Sequence, residues 1–190
     1  MPRSDLALDP ILLPANTGRL VEGLLLPDRT HMIDASFLVV LVVASALLAW
    51  IDLRLGIIPN WLNIAIAAAG LARAALLENL TAALVAGGEG VAVGAVVWLL
   101  RWLFFSLRKY QGLGLGDVKL LAASGIWIGA AGVPVQLLVA SLSALLAAAI
   151  FRLAGRSIGR TTSLPFGPFL VLGLVIAVWI EEFAGLRPLS

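Results

Sequence analysis

Residues 33–51 read IDASFLVVLVVASALLAWI, and this run decides the fold: it is long and apolar enough to cross a bilayer, and Asp52-Leu53-Arg54 closes it. Asp34 and Ser36 fall near its start. Outward from it the same signature recurs. Residues 57–77 form a second span, with Pro59 tolerated in the first turn because its missing N–H lacks an intrahelical partner there anyway. Glu78, Asn79, Gly87, Gly88 and Glu89 predict a polar connection, and Val91 to Leu107 a third span in which Arg101 snorkels toward the end. A fourth span runs from Asp117 to about Gly129, where Gly132 and Pro134 interrupt it, and a fifth covers roughly Val135 to Leu153. The sixth covers Leu164 to Phe183 and is opened by Pro165 and Pro168. The sequence therefore predicts an all-α polytopic integral membrane protein with about six transmembrane helices. Residues 34–186 form the membrane domain, and residues 1–33, of mixed charge and rich in Pro, form a poorly ordered or membrane-surface tail.

Composition agrees. Of 190 residues, 61% are hydrophobic and 13% charged, with a mean hydropathy of +1.05, so lipid is the expected solvent. The net charge is +2 and the cations are dispersed between apolar runs, which gives no nucleic-acid surface. There is no Cys, and His31 is the single His, so disulfides and thiolate metal sites are excluded and no metal or cofactor is expected.

The placement of cations predicts topology. Arg54, Arg108, Lys109, Lys119, Arg152, Arg156 and Arg160 fall on one side, whereas the connections around 78–90 and 130–134 receive none. The first side is expected to be cytoplasmic, with both termini outside and with Asp52 and Asp117 on the same inner face. Trp50, Trp61 and Trp102 fit an inner aromatic belt and Trp179 an outer one, while Trp98 and Trp127 are expected to pack deeper. Without an evident internal repeat or polar residues in mid-span, a small transporter is disfavoured.

An ionisable group at membrane depth costs roughly 2.5 to 3.5 kcal/mol at a helix centre, so each Asp beside a span needs a reason. Taken singly, Asp52 and Asp117 could be solvated charges paired with Arg54 or Lys119. Taken together they suggest a dyad. Two carboxyl groups brought close cannot both ionise cheaply; one keeps a proton and polarises a scissile carbonyl, while the other takes a proton from the attacking water. Such chemistry needs neither a metal nor a nucleophilic side chain. Ser106, Ser124 and Ser163 read as helix-packing residues, since the only candidate base, His31, is expected on the far side. Gly112, Gly114 and Gly116 strip side chains from the backbone before Asp117, allowing unusual φ values and close approach of an extended peptide. A phosphate-binding loop is excluded by context, because no strand precedes the glycines and no Gly-Lys-Ser/Thr ending follows.

At this point the motifs meet a known family. Gly114-Leu115-Gly116-Asp117, followed by Val118-Lys119-Leu120-Leu121-Ala122-Ala123, resembles the GxGD motif of type IV prepilin peptidases. Asp52 with Arg54 and Ile58-Pro59-Asn60 resembles that family's first catalytic Asp motif, and Leu164-Pro165-Phe166-Gly167-Pro168-Phe169 its Pro-Phe-Gly segment. The resemblance covers about residues 36 to 184. It implies an aspartic endopeptidase of the bacterial inner membrane, acting at the cytoplasmic face. Asp52 and Asp117 would be the catalytic pair, Gly114 and Gly116 would shape the approach, and Pro165, Phe166 and Gly167 would lie nearby. It implies as substrate a prepilin or pseudopilin with a short basic leader, usually ending in Gly, ahead of a hydrophobic helix. Longer relatives carry paired Cys-x-x-Cys motifs associated with N-methylation; with no Cys here, peptidase activity without methyl transfer is expected, as in short forms. The competing expectation is a catalytically silent assembly factor that binds pilin helices with the same bundle.

Overall fold

The computed structural model describes residues 29–108, 114–154 and 165–184; most of the 1–33 tail, Gly112, Lys109, Arg156, Arg160 and Ser163 lie outside the described residues. Among these residues the chain is all helix: α1 (Arg29–Leu55), α2 (Asn60–Leu77), α3 (Leu80–Arg108), α4 (Leu115–Leu153) and α5 (Gly167–Ala184). Helices α1 to α4 are each long and apolar enough to cross a membrane, and α5, 18 residues long, is apolar up to Glu181 and Glu182 near its end. The chain is thus a multi-pass, all-α membrane protein.

Five helices make six rods because α4 turns back on itself. Gly129 holds φ 61 and ψ 174, a backbone conformation that L side chains rarely adopt. On either side of it, Gln136 Nε2 donates to Ser124 Oγ at 2.9 Å, although the two residues are 12 apart in sequence. An unbroken helix would separate them by roughly 18 Å. The segments 115–128 and 130–153 therefore run alongside one another as the expected fourth and fifth spans. The reversal falls at Gly129 rather than at Gly132 and Pro134, and Pro134 lies inside the second segment.

A second boundary moves further. Residues 80–90, expected as connection, are helix: α3 starts at Leu80, and Asn79 Oδ1 caps it by accepting the Ala82 N–H at 2.8 Å. Glu89 is accordingly half-buried inside a helix and not in a loop. Glycines are tolerated in that helix because they let its backbone meet α4 closely. A Cβ on Gly90 would sit 2.8 Å from the Ala122 carbonyl oxygen, and one on Gly94 would sit 2.9 Å from Ala122 Cβ. α1 likewise begins at Arg29, a turn before the expected span.

α4 is the hub, packing on α2, α3 and α5, while α1 closes against α2 and α5. Leu41 and Leu48 of α1, Ile66 of α2, Leu120 and Ile128 of α4, and Leu170 and Leu174 of α5 fill the core. Polar side chains share it, contrary to the expectation of apolar mid-spans. Ser45, Asn63, Ser124 and Gln136 are all buried, and Gln136 also donates to the Leu170 carbonyl at 3.1 Å, tying α4 to α5. Trp127 is buried as expected, with Nε1 donating to the Ile66 carbonyl at 2.9 Å, whereas Trp98 is about half exposed on the bundle surface.

The end where α1 begins is pinned by a cation that the loop count passes over. Arg73 of α2 pairs with Asp34 of α1 at 2.5 Å and with Glu182 of α5 at 3.4 Å, and its guanidinium lies 5.9 Å from the Trp127 ring centre. A cavity of about 700 Å³ opens beside it, lined among others by Glu78, Glu89, Gly129 and Glu181. Asp52 lies roughly 27 Å further along α1, at the opposite end of the bundle.

Candidate active site

Asp52 sits in the last turn of α1, where Gly56, at φ 65, ends the helix by donating its N–H to the Asp52 carbonyl at 2.8 Å. Ile57 to Pro59 then lead into α2, with Pro59 extended at φ −65 and ψ 133 as its N-cap. Asp117 occupies the third position of α4, where a carboxylate is well placed because the first N–H groups of a helix lack intrahelical partners. It accepts the Gly114 N–H on Oδ2 at 3.3 Å and so caps its own helix. The two side chains, 5% and 9% exposed, come from distant parts of the chain to one end of the bundle and interact electrostatically.

The last helix completes the cluster. Gly167 opens α5, and its N–H donates to Asp52 Oδ2 at 3.0 Å. Phe166 accepts the N–H groups of Phe169 and Leu170 at 3.1 Å, which holds Pro165 and Phe166 at the helix start, with the Phe166 ring packed against the core. Ile58 is the wedge between the two carboxylates' supports. A Cβ on Gly116 would lie 2.7 Å from Ile58 Cβ, and one on Gly167 would lie 3.3 Å from Ile58 Cδ1. All seven expected site residues, Asp52, Asp117, Gly114, Gly116, Pro165, Phe166 and Gly167, thus fall at the ends of α1, α4 and α5 on one side of the bundle.

The unusual φ expected of these glycines is not found among the described ones. Gly114 has φ −67, and among described glycines only Gly56 and Gly129 have positive φ. Close packing is what excludes a side chain: at Gly114 a Cβ would stand 3.2 Å from Asp117 Oδ2, and at Gly167 only 2.5 Å from Asp52 Oδ2.

Neither Asp is an ordinary loop charge. Among the described residues neither carboxylate has a cation within pairing distance: Arg54 stacks 4.6 Å from the Trp50 ring centre, and Lys119 donates to Asn60 Oδ1 at 2.8 Å. Each Asp has one oxygen fixed by a backbone N–H, and among the described residues its Oδ1 has no hydrogen-bond partner. That arrangement can orient two carboxyl groups while leaving an oxygen of each to meet a water and a carbonyl. Among the described residues no group of three or more His, Asp or Glu side chains is placed to hold a metal ion. Sequence reasoning missed the tie between Asn60 and Lys119, Ile58 as wedge, and Arg73. Of these, Ile58, Asn60 and Lys119 carried a signal, since all three fall within the motifs around Asp52 and Asp117, and Arg73 carried none.

Comparison with known proteins gives the class. The model of the type IV leader peptidase family matches residues 39–150, and the chain belongs to that family. It is 37% identical over 147 residues to a prepilin leader peptidase/N-methyltransferase of Xanthomonas campestris pv. campestris, covering 72% of this chain and 50% of that one. It is 36% identical over 157 residues to a protein of the same name from Pectobacterium carotovorum, covering 80% and 51%. A Burkholderia pseudomallei protein, also so named, is 37% identical over 132 residues, covering 68% and 42%. The chain therefore spans about half the length of the curated relatives it matches. No solved structure matches.

Proposed function

We propose that this chain is a membrane aspartic endopeptidase that removes the short basic leader from prepilin-like or pseudopilin-like substrates, with Asp52 and Asp117 as its catalytic pair. The observation that carries the proposal is two buried carboxyl groups at one end of the bundle, each held through one oxygen by a backbone N–H and each with its other oxygen unbonded among the described residues. In the working state the pair shares one proton. The ionised member draws a proton from water as the water oxygen attacks the scissile carbonyl, and the protonated member gives its proton to the carbonyl oxygen. The resulting gem-diol collapses with a proton passing to the leaving amine, so the pair returns to its starting charge. Ile58, Gly114, Gly116 and Gly167 set where the two carboxyl groups stand.

The same end of the bundle carries Arg54, Lys119 and Arg152, with Arg108 at the end of α3, which supports a cytoplasmic position for the site in a bacterial inner membrane and an opposite position for both termini. A basic leader would reach the pair from that side, while the hydrophobic helix behind it stays in lipid. The proposal assigns these 190 residues cleavage alone, without methyl transfer, since they contain no Cys.

Co-expression with a candidate prepilin tests the proposal. The unaltered chain should process the substrate, and Asp52→Asn and Asp117→Asn should each abolish processing while still accumulating in the membrane. Processing unaffected by either substitution would reject the aspartic reading, and a chain that binds the prepilin without processing it would be a silent assembly factor.

A further inference from the structure

The turn from α1 to α2, Gly56 to Pro59, treats its two isoleucines differently: Ile57 is 58% exposed, whereas Ile58 packs against the core. Both ends of the turn are stiff. Gly56, at φ 65, donates its N–H to the Asp52 carbonyl, and Pro59, at φ −65, restricts the Ile58 backbone ahead of it. Ile58 is itself stiff at its first side-chain torsion, being branched at Cβ. This rigid side chain lies against the support of each carboxyl group. A Cβ on Gly116, the residue before Asp117, would meet Ile58 Cβ at 2.7 Å, and a Cβ on Gly167, whose N–H holds Asp52, would meet Ile58 Cδ1 at 3.3 Å. Ile58 is therefore a spacer between the starts of α4 and α5.

A tie to α4 comes just past the turn. Lys119 Nζ donates to Asn60 Oδ1 at 2.8 Å, which joins a residue two beyond Ile58 to a residue two beyond Asp117. Successive residues of a helix are about 100° apart, so Lys119 leaves α4 about 200° round from Asp117 and faces away from the carboxyl pair. Its ammonium cannot serve the reacting atoms directly. What it does hold is the turn that carries the spacer. Misplacing a reacting group by an ångström costs on the order of 100-fold in rate, so a spacer free to shift is a catalytic defect even where the fold survives.

We infer that Lys119 is a positioning residue of the peptidase: through its hydrogen bond to Asn60 it latches the α1–α2 turn onto α4 and keeps Ile58 seated between Gly116 and Gly167, so that Asp52 and Asp117 stay at their working separation. This rests on the endopeptidase reading and gives a catalytic consequence to a cation that topology alone would otherwise explain.

The test uses the full chain in liposomes and a prepilin-like substrate with a basic leader, a Gly and about 20 apolar residues. Asn60 and Lys119 are both exposed, so Asn60→Ala and Lys119→Met leave the core untouched. In each, kcat per folded molecule should fall about tenfold with KM unchanged within about twofold, the split expected when only the alignment of reacting groups is lost. The double variant should be no slower than either single one, because both changes break the same bond. Ile58→Ala should lose about 100-fold in kcat, and adding Lys119→Met to it should cost nothing further. Lys119→Arg, which still carries donors for Asn60, should recover most of the parental kcat. Parental kcat in both single latch variants, losses that multiply in the double variant, or a rise in KM as the main effect would each overturn the latch while leaving the peptidase reading standing. So would a loss confined to the amount of chain inserted in the membrane, which would reduce Lys119 to a topology signal. Absence of cleavage by the unaltered chain would overturn both.

Discussion

The N–H of Gly167 reaches back across 115 residues to donate to Asp52 Oδ2 at 3.0 Å, so the start of the last helix positions a carboxyl group at the end of the first. The contact leaves no room for a side chain, because a Cβ on Gly167 would lie 2.5 Å from that same oxygen. The glycine is therefore part of how Asp52 is held.

A graded series of glycine substitutions follows from these distances. Gly167→Ala displaces Asp52 directly and Gly116→Ala displaces Ile58 Cβ from 2.7 Å, whereas Gly114→Ala meets Asp117 Oδ2 at the milder distance of 3.2 Å. Misplacing a reacting group by an ångström costs on the order of 100-fold in rate. Cleavage assays should show losses of about that size for the first two and a smaller loss for the third. Gly88→Ala, with open space around it, should cleave at the parental rate.

Arg73 should matter for stability and not for chemistry. It joins α1, α2 and α5 at the end away from Asp52, and its removal leaves Asp34 and Glu182 without that cation while partly buried. Arg73→Ala is expected to cost about 2 kcal/mol, below the full penalty for a fully buried pair because these groups are partly exposed. Thermal unfolding in detergent should fall, and kcat per folded molecule should not. Arg73→Lys, which keeps the charge but loses the planar fork, should fall in between.

A shared proton also fixes the form of the pH profile. Cleavage should decline at low pH, where both carboxyl groups are protonated and none can take a proton from water. It should decline again at high pH, where both are ionised and none can donate to the carbonyl. Both limbs of the resulting bell should vanish together in Asp52→Asn, leaving a flat background.

Much of this was legible in the sequence because lipid makes simple demands. Runs of apolar residues gave the spans, and Asp52, Asp117 and Gly167 stood out as carriers of chemistry or motif beside them. The rest depended on partners far apart in the chain. Gly87, Gly88 and Glu89 look like a loop in isolation, yet they are helix, because the glycine-bearing face of α3 packs against Ala122 and Ile126 of α4. Nothing local separates Gly129 from Gly132 as the point of reversal; the bond between Ser124 and Gln136 shows it. The crowding of Gly114 by Asp117 and of Gly116 by Ile58 was hidden for the same reason, since it acts in space and not through φ.

The most direct test of the account is kcat for Asp52→Asn, Asp117→Asn and the double variant, measured on one prepilin in liposomes. If the carboxyl pair works as a unit, all three should fall at least about 1,000-fold, to the same background within a few-fold, because losing one member disables the other. A single variant that retains a tenth or more of the parental kcat, or a double variant whose loss is the product of the single losses, would contradict it.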